Sequence, residues 1–331
     1  MAKDLDFIAI GDTTTDAFIR IKQASIHNDD PSRIEQICLA NGSKIPYESL
    51  TIVPAVGNSP NAAVSAARLG LRSGLITDFG DDDFGRNCLK RLKEEGVVDD
   101  YIKIHKGKKS NYHFVLWHKA ERTILIKHHE YEYAFPDAGS PKWFYFSSVG
   151  EDSLPYHHEI ADYLKNHPNI KLAFQPGTFQ IKLGYEKLKD LYEETEVFFC
   201  NKEEAQLILK TRGDSIPTLS REMSKLGPKI SVITDGPAGA YVFDGTDVWF
   251  MRAYPDPAPP YERTGAGDSF ASTFTVALAL GKDVAEALMW GPVNSMSVVQ
   301  KIGAQAGLLS REELEEYLAN APEDYIPKKV G

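Results

Sequence analysis

The chain has 331 residues, 42% of them hydrophobic and 25% charged, a balance that excludes a disordered protein. That length buries a substantial core and suits one large α/β domain with an appendage better than two equal domains. A formal net charge of -10 argues against nucleic acid as a partner, although backbone N–H groups at a helix start can still bind a phosphate.

The opening MAKDLDFIAIGD is a charged residue pair followed by a strand, so no signal peptide is expected. No apolar run approaches the ~18 residues of a membrane span, and a soluble, cytoplasmic protein without a membrane partner is expected. Cys38, Cys88 and Cys200 are widely spaced and read as reduced thiols. The pairs His128-His129 and His157-His158 lack a Cys or carboxylate spacing that would complete a metal site, and are expected in loops or the lid.

In chain order, Phe7–Ile10, Ser73–Thr77, Trp143–Phe146, Lys171–Phe174, Val197–Cys200 and Ile230–Thr234 read as buried strands. Between them Asp83–Glu95, Tyr156–Asn166, Lys202–Lys210 and Leu219–Leu226 carry helical periodicity. Strands alternating with helices predict a mostly parallel sheet covered on both faces, with ligands at the carboxyl ends of the strands. Thr13 to Thr51 and Asn111–His129 break the alternation. The second reads as a hairpin, Tyr112–His118 and Thr123–His129 around the turn Lys119 to Arg122, and the two excursions could pair into a small sheet over a cleft. A further hairpin joins Ala240–Phe243 to Val248–Arg252 around Asp244-Gly245. The last third is helical, with runs Gly265–Leu280 and Val284–Lys301 and a capping box at Ser310 before Leu314–Ala319.

Four segments could carry chemistry. Arg263-Thr-Gly-Ala-Gly-Asp268 opens an apolar helix: two glycines let the backbone approach a ligand, and the free N–H groups and helix dipole favour an anion there. Asp268 beside that anion could take a proton from an attacking hydroxyl, or could merely complement the dipole. Asn201 and Glu204, three apart after a strand, offer hard oxygen ligands of the kind magnesium takes, but the same pair is a capping box. In Val56-Gly-Asn-Ser-Pro-Asn61, Ser59 is expected to cap the helix Ala62–Leu69 with Pro60 in its first turn, leaving Asn58 and Asn61 to bind a polyol. Asp16, after the first strand, could accept bonds from two neighbouring hydroxyls or be a solvated loop acid.

Taken in order, Gly11–Asp16, Gly57-Asn-Ser-Pro-Asn61, Ala66-Ala-Arg-Leu-Gly70, Gly80-Asp-Asp-Asp-Phe-Gly85, Asn201–Glu204, Thr234-Asp-Gly236, Gly265-Ala-Gly-Asp268 and Gly303-Ala-Gln305 resemble the ribokinase-like (PfkB-type) carbohydrate kinases. The likeness runs from the first strand to about Leu318. It implies a three-layer α/β/α fold, doubly wound around a mostly parallel sheet, with one kinase domain over 1–331 and a small β-sheet lid from about 13–51 and 111–129. It implies phosphorylation of a sugar hydroxyl by ATP with magnesium. Asp268 would be the catalytic base, and Gly265, Ala266 and Gly267 the anion hole. Asp16, Gly57, Asn58 and Asn61 would hold the acceptor. Asn201, Thr234, Gly236 and Gly239 would line the nucleotide site, with Glu204 for the metal. A homodimer through the lid is also implied.

The chain departs from the family at Val56, where a glycine is usual, and at Glu262-Arg263-Thr264. In potassium-activated members the position of Glu262 helps bind that ion, so a monovalent requirement does not carry over. His128-His129-Glu130 stand where Gly-Ala-Asn is usual, and the insertion Ile26–Leu50 is long. The acceptor is therefore not implied. A nucleoside acceptor, stacked on Tyr112, Phe114 or Trp117, and a catalytically silent sugar-binding member are the alternatives. A nicotinamide oxidoreductase is disfavoured, since no G-x-G-x-x-G follows the first strand.

Overall fold

Phe7, Ile8, Ala9 and Ile10 are all fully buried, and a strand apolar on both faces belongs in the middle of a sheet covered on both sides. The computed structural model, which describes residues 5–28, 35–119 and 121–331, places it there. Phe7–Ile10 pairs in parallel with Ser73–Gly80 on one side and Trp143–Phe146 on the other. Lys171–Phe174, Thr195–Asn201 and Ile230–Thr234 continue outward in parallel, while Ile102–His105 closes the opposite edge. Ala240–Phe243, Val248–Met251 and Lys328–Lys329 add antiparallel strands and bring the sheet to ten.

Helices pack on both faces, and two apolar clusters lie on the two sides of the sheet. One holds Phe7, Ala9, Tyr145 and Phe274; the other holds Ile8, Ile10, Phe146 and Leu191. Alternate residues of each strand thus enter different cores. Two strands outrun the apolar stretch that signals them, since Ser73–Gly80 and Thr195–Asn201 keep pairing through polar ends. Helix Val284–Val298 stops short of Lys301, because Gln300 and Lys301 turn back in tight bonds to Ser297 and Val298. His157 and His158 sit on helix Leu154–Asn166 and not in a loop. His157 is buried against Phe146, and burial pushes its imidazole down to about 4.

Ser59 is the clearest departure in local structure. Helix Asn58–Arg68 begins two residues earlier than expected, capped on Gly57, and Ser59 caps nothing. Its hydroxyl instead donates to the carbonyl of Ile10 and meets Ser147, tying the helix to the ends of two central strands.

The two excursions do pair. Thr14–Arg20 lies antiparallel to Ser49–Val56 and parallel to Asn111–His118, which is antiparallel to Glu121–Leu125. The hairpin turn is tighter than the sequence suggests: Glu121 and Arg122 pair with His118 and Trp117, and the second strand ends at Leu125. Within the insertion, Ser25–His27 pairs with Gln36–Cys38; residues 29–34 lie outside the described residues, as does Ala120 of the hairpin turn. Asp82 anchors the base of the lid. It caps helix Asp83–Glu94 through the Gly85 N–H at 3.0 Å and accepts from the N–H and hydroxyl of Ser110, just before the lid strand. Burial opposes ionisation of Asp82, but the Ser110 and Gly85 donors outweigh it and lower its pKa.

Candidate active site

The registers bring the carboxyl ends of Phe7–Ile10, Trp143–Phe146 and Lys171–Phe174 level, so the residues that follow them face one space under the lid. That space is a cleft of about 290 Å³, whose walls include Asp16, Gly57, Asn58, Asn61 and Asp268. Three of the four segments singled out in the sequence therefore line one cleft, while Asn201–Glu204 is not among its walls. Gly57 belongs there for a steric reason. Its φ is 125°, and a Cβ would stand 2.9 Å from the carbonyl oxygen of Asp12. Val56 also lines the cleft.

Asp268 lies in the first turn of helix Ala266–Ala279, beyond Gly265 with its left-handed φ of 81°. Ser269 N–H already bonds the Gly265 carbonyl, and the Ala266 N–H has only a 3.5 Å contact to the Arg263 carbonyl. The N–H groups of Ala266, Gly267 and Asp268 precede the helical ladder, so they are available to an anion. The Ala266 carbonyl is held by Ser269 and by Ser295 of the adjacent helix.

Asn58 and Asn61 grip the candidate base. Asn58 Nδ2 donates to Asp268 Oδ1 at 2.8 Å, Asn61 Nδ2 donates to Oδ2 at 2.9 Å, and Gln175 Nε2 donates to Oδ1 at 3.2 Å. Tyr145 donates to the Gln175 amide oxygen from behind. Burial raises the Asp268 pKa, and the Asn61, Gln175 and Asn58 amides oppose that rise. A carboxylate oriented from three sides and pushed above the ordinary aspartate range is a suitable proton acceptor.

Gln175 was not singled out in the sequence, although it directly follows a buried strand, where ligand contacts are expected. Gln305, from the Gly303-Ala-Gln305 match, supports Asn61 by donating to its Oδ1 at 3.1 Å and to the Ala55 carbonyl.

At the next strand ends, Asn201 and Thr234 are register partners, and Gly236 and Gly239 form the turn after Thr234. Asn201 and Glu204 make both bonds of a capping box at 2.8 Å. Glu204 spends Oε2 on the Asn201 N–H, and it has no salt-bridge partner among the described residues. Burial raises its pKa against that bond, with Asp268 adding repulsion. An unneutralised, partly desolvated carboxylate fits a hard cation, so capping and metal binding are compatible here. Among the described residues no cluster of three His, Cys, Asp or Glu could hold a metal without other ligands.

Glu262 is 2% exposed. It accepts from the Thr264 N–H at 2.7 Å, the Thr264 hydroxyl and the Gly303 N–H. Arg122 reaches it from the lid at 3.8 Å, and Trp117 packs on Tyr261 beside it. The lid thus rests on the loop that leads into Gly265.

Residues 45–311 match the model for the pfkB family carbohydrate kinases. Ribokinase of Bacillus subtilis is 27% identical over 284 residues, covering 84% of this chain and 92% of that protein. The 5-dehydro-2-deoxygluconokinase of the same organism is 24% identical over 291 residues, covering 82% and 89%. The structure of Arabidopsis thaliana ribokinase complexed with ribose and ATP superposes with a TM-score of 0.78 at 18% identity, covering 96% of this chain and 99% of that one.

Proposed function

Because the chain belongs to the pfkB family of carbohydrate kinases, we propose that the cleft under the lid is its phosphoryl-transfer site and that Asp268 is the general base. The protein is a carbohydrate kinase that uses ATP to phosphorylate a sugar. We read the chain as one kinase domain with the lid inserted. The observation that carries the assignment is the Asp268 carboxylate, gripped by three amides beside the N–H groups of the first helical turn.

In this reading the acceptor hydroxyl lies against Asp268, which takes its proton as the oxygen attacks the γ-phosphorus. The N–H groups of Gly265, Ala266 and Gly267 stabilise the charge developing on the transferred phosphoryl oxygens. Thr234, Gly236 and Gly239 border the nucleotide, with Asn201 at its phosphates, and Asp16 and Gly57 shape the acceptor side. Asn58 and Asn61 act through the base as well as on the acceptor. Magnesium, when bound with ATP, neutralises phosphate charge, and Glu204 would hold it through water. The lid excludes solvent, which favours transfer to sugar over water.

The direct test is ADP release from ATP and magnesium across a panel of sugars. Release with none of them would overturn the kinase assignment. The names of the two Bacillus relatives point to acceptors of different charge, a neutral pentose and a sugar acid, so membership alone leaves the acceptor's charge open.

Two further outcomes are expected. Glu204→Gln raises the magnesium concentration for half-maximal rate, because it removes a charged ligand while an amide can still cap Asn201. Unchanged magnesium dependence would leave Glu204 as a cap only. The protein also forms a homodimer through the lid's outer face. Ile52, Ala17, Phe114 and Leu125 make one row across that sheet, and Ile52, Phe114 and Leu125 remain 52%, 46% and 51% exposed. Such an apolar sheet face calls for a partner, and a second copy supplies the same residues. Sedimentation showing only monomer at micromolar concentration would count against it.

A further inference from the structure

The acceptor side of the cleft carries charge of one sign. Asp12, Asp16 and Asp268 line it, with His113 and His128, and among the described residues no Lys or Arg does. Arg122 of the lid, whose charge acts on Asp268, is 3.8 Å from buried Glu262. Both histidines lean on carboxylates: His113 Nδ1 is 3.4 Å from Asp16 Oδ1, and His128 Nδ1 is 3.1 Å from Asp12 Oδ2.

Asp12 is itself held firmly. It is 8% exposed and accepts the Tyr133 hydroxyl at 2.9 and 3.1 Å on its two oxygens, while the Gly150 N–H bonds that hydroxyl in turn at 3.0 Å. Since a carboxylate only accepts, the partner Nδ1 of His128 must carry the proton, which fixes the ring's tautomer and direction. The His128 ring lies 5.2 Å from that of His113 and 5.9 Å, edge-on, from Phe179. Its Nε2 has no hydrogen-bond partner among the described residues and is not sequestered from the cleft.

A carboxylate or phosphate on the acceptor would therefore meet three carboxylates, offset only from a distance by Arg122, which is engaged with Glu262. Sugar hydroxyls would instead donate to the carboxylate oxygens and bond His128 Nε2. The volume of about 290 Å³, at the small end for ligand sites, accommodates a monosaccharide.

We propose that the acceptor is an uncharged, unphosphorylated sugar of monosaccharide size, and that His128, positioned by Asp12 and Tyr133, reads one of its non-reacting hydroxyls. This rests on the kinase reading of the same cleft. It goes further by fixing the acceptor's charge and naming a specificity residue on the chain leaving the lid.

The test pairs neutral sugars with charged counterparts: aldopentoses with their aldonic acids, and hexoses with hexose 6-phosphates. Turnover with ATP and magnesium is read as ADP release, and binding without ATP by calorimetry. The neutral member of the best pair is expected to exceed its charged counterpart roughly 100-fold in kcat/KM and to bind more tightly. His128→Ala should raise KM for that sugar by about 10-fold, with kcat little changed and the acid still rejected. His128→Gln, which keeps a polar group, should restore part of the loss. Preference for an acid or a phosphorylated sugar overturns the inference while leaving the kinase reading intact, as does an unaltered KM in His128→Ala. Absence of ADP release with every acceptor instead defeats the kinase reading, and the calorimetric comparison then still decides the charge preference.

Discussion

Asp268→Asn is expected to lower turnover by about 10²–10⁴, the usual worth of a positioned general base. The substitution keeps the shape of the side chain and removes its ability to take a proton. The surroundings adapt at modest cost. With the amide oxygen in place of Oδ1, the Asn58 and Gln175 bonds persist, and the new NH₂ faces the Asn61 donor. Asn61 can turn its amide to answer it, leaving Gln305 with the Ala55 carbonyl as its remaining partner.

Stability should hold, because burial disfavours the Asp268 charge and the substitution removes that charge. The wild type supplies a second readout. Its base works only when ionised, so activity is present above the raised Asp268 pKa and lost as pH falls through it. The acid limb of kcat should lie above the ordinary aspartate range, and it should vanish in Asp268→Asn. Near-normal turnover in that variant would remove Asp268 from the mechanism, whatever its stability.

The sequence displayed the sheet well because buried parallel strands are apolar on both faces: Phe7–Ile10, Trp143–Phe146, Lys171–Phe174 and Ile230–Thr234 keep the bounds expected of them. Ends were less legible wherever pairing continues through polar residues, as at Thr195 and Gly80. Ser59 misled because serine before proline is a capping pattern, while its actual partners, Ile10 and Ser147, are distant in sequence.

The site divides in the same way. Groups that sit in a recognisable run of glycines and acids, such as Gly265 to Asp268, could be read locally. Groups that act across strands could not. Gln175 and Tyr145 meet only because neighbouring parallel strands end level, and His128 gains meaning only when the lid returns it to Asp12. Asp12 stood inside the Gly11–Asp16 match, yet nothing local distinguished it from Asp16.

Gly265→Ala should have the next largest effect, and it separates the anion hole from the base. Gly265 has a φ of 81°, which an L side chain adopts only with strain, and its missing Cβ would stand 2.3 Å from Ala304 Cβ and 2.6 Å from Ala304 Cα. The second contact is with backbone, so the entrance of helix Ala266–Ala279 or the Gly303–Gln305 loop must shift. Either movement displaces the N–H groups that would meet the phosphoryl oxygens, while Asp268, one turn in and gripped by three amides, keeps its orientation. A displacement of ångström size at such a site costs on the order of 10² in rate, and loss of an oxyanion donor about 10²–10³. Single-turnover phosphoryl transfer should slow by that amount, with the acid limb of the pH profile unmoved. The urea midpoint should fall too, by more than ~1 kcal/mol in stability, as expected for alanine at a positive φ. Adding Ala304→Gly removes the Cβ contact but neither the strain nor the backbone clash, so recovery should be partial. If Gly265→Ala is destabilised yet transfers phosphate at the wild-type rate, the glycine serves packing alone and the anion hole lies elsewhere.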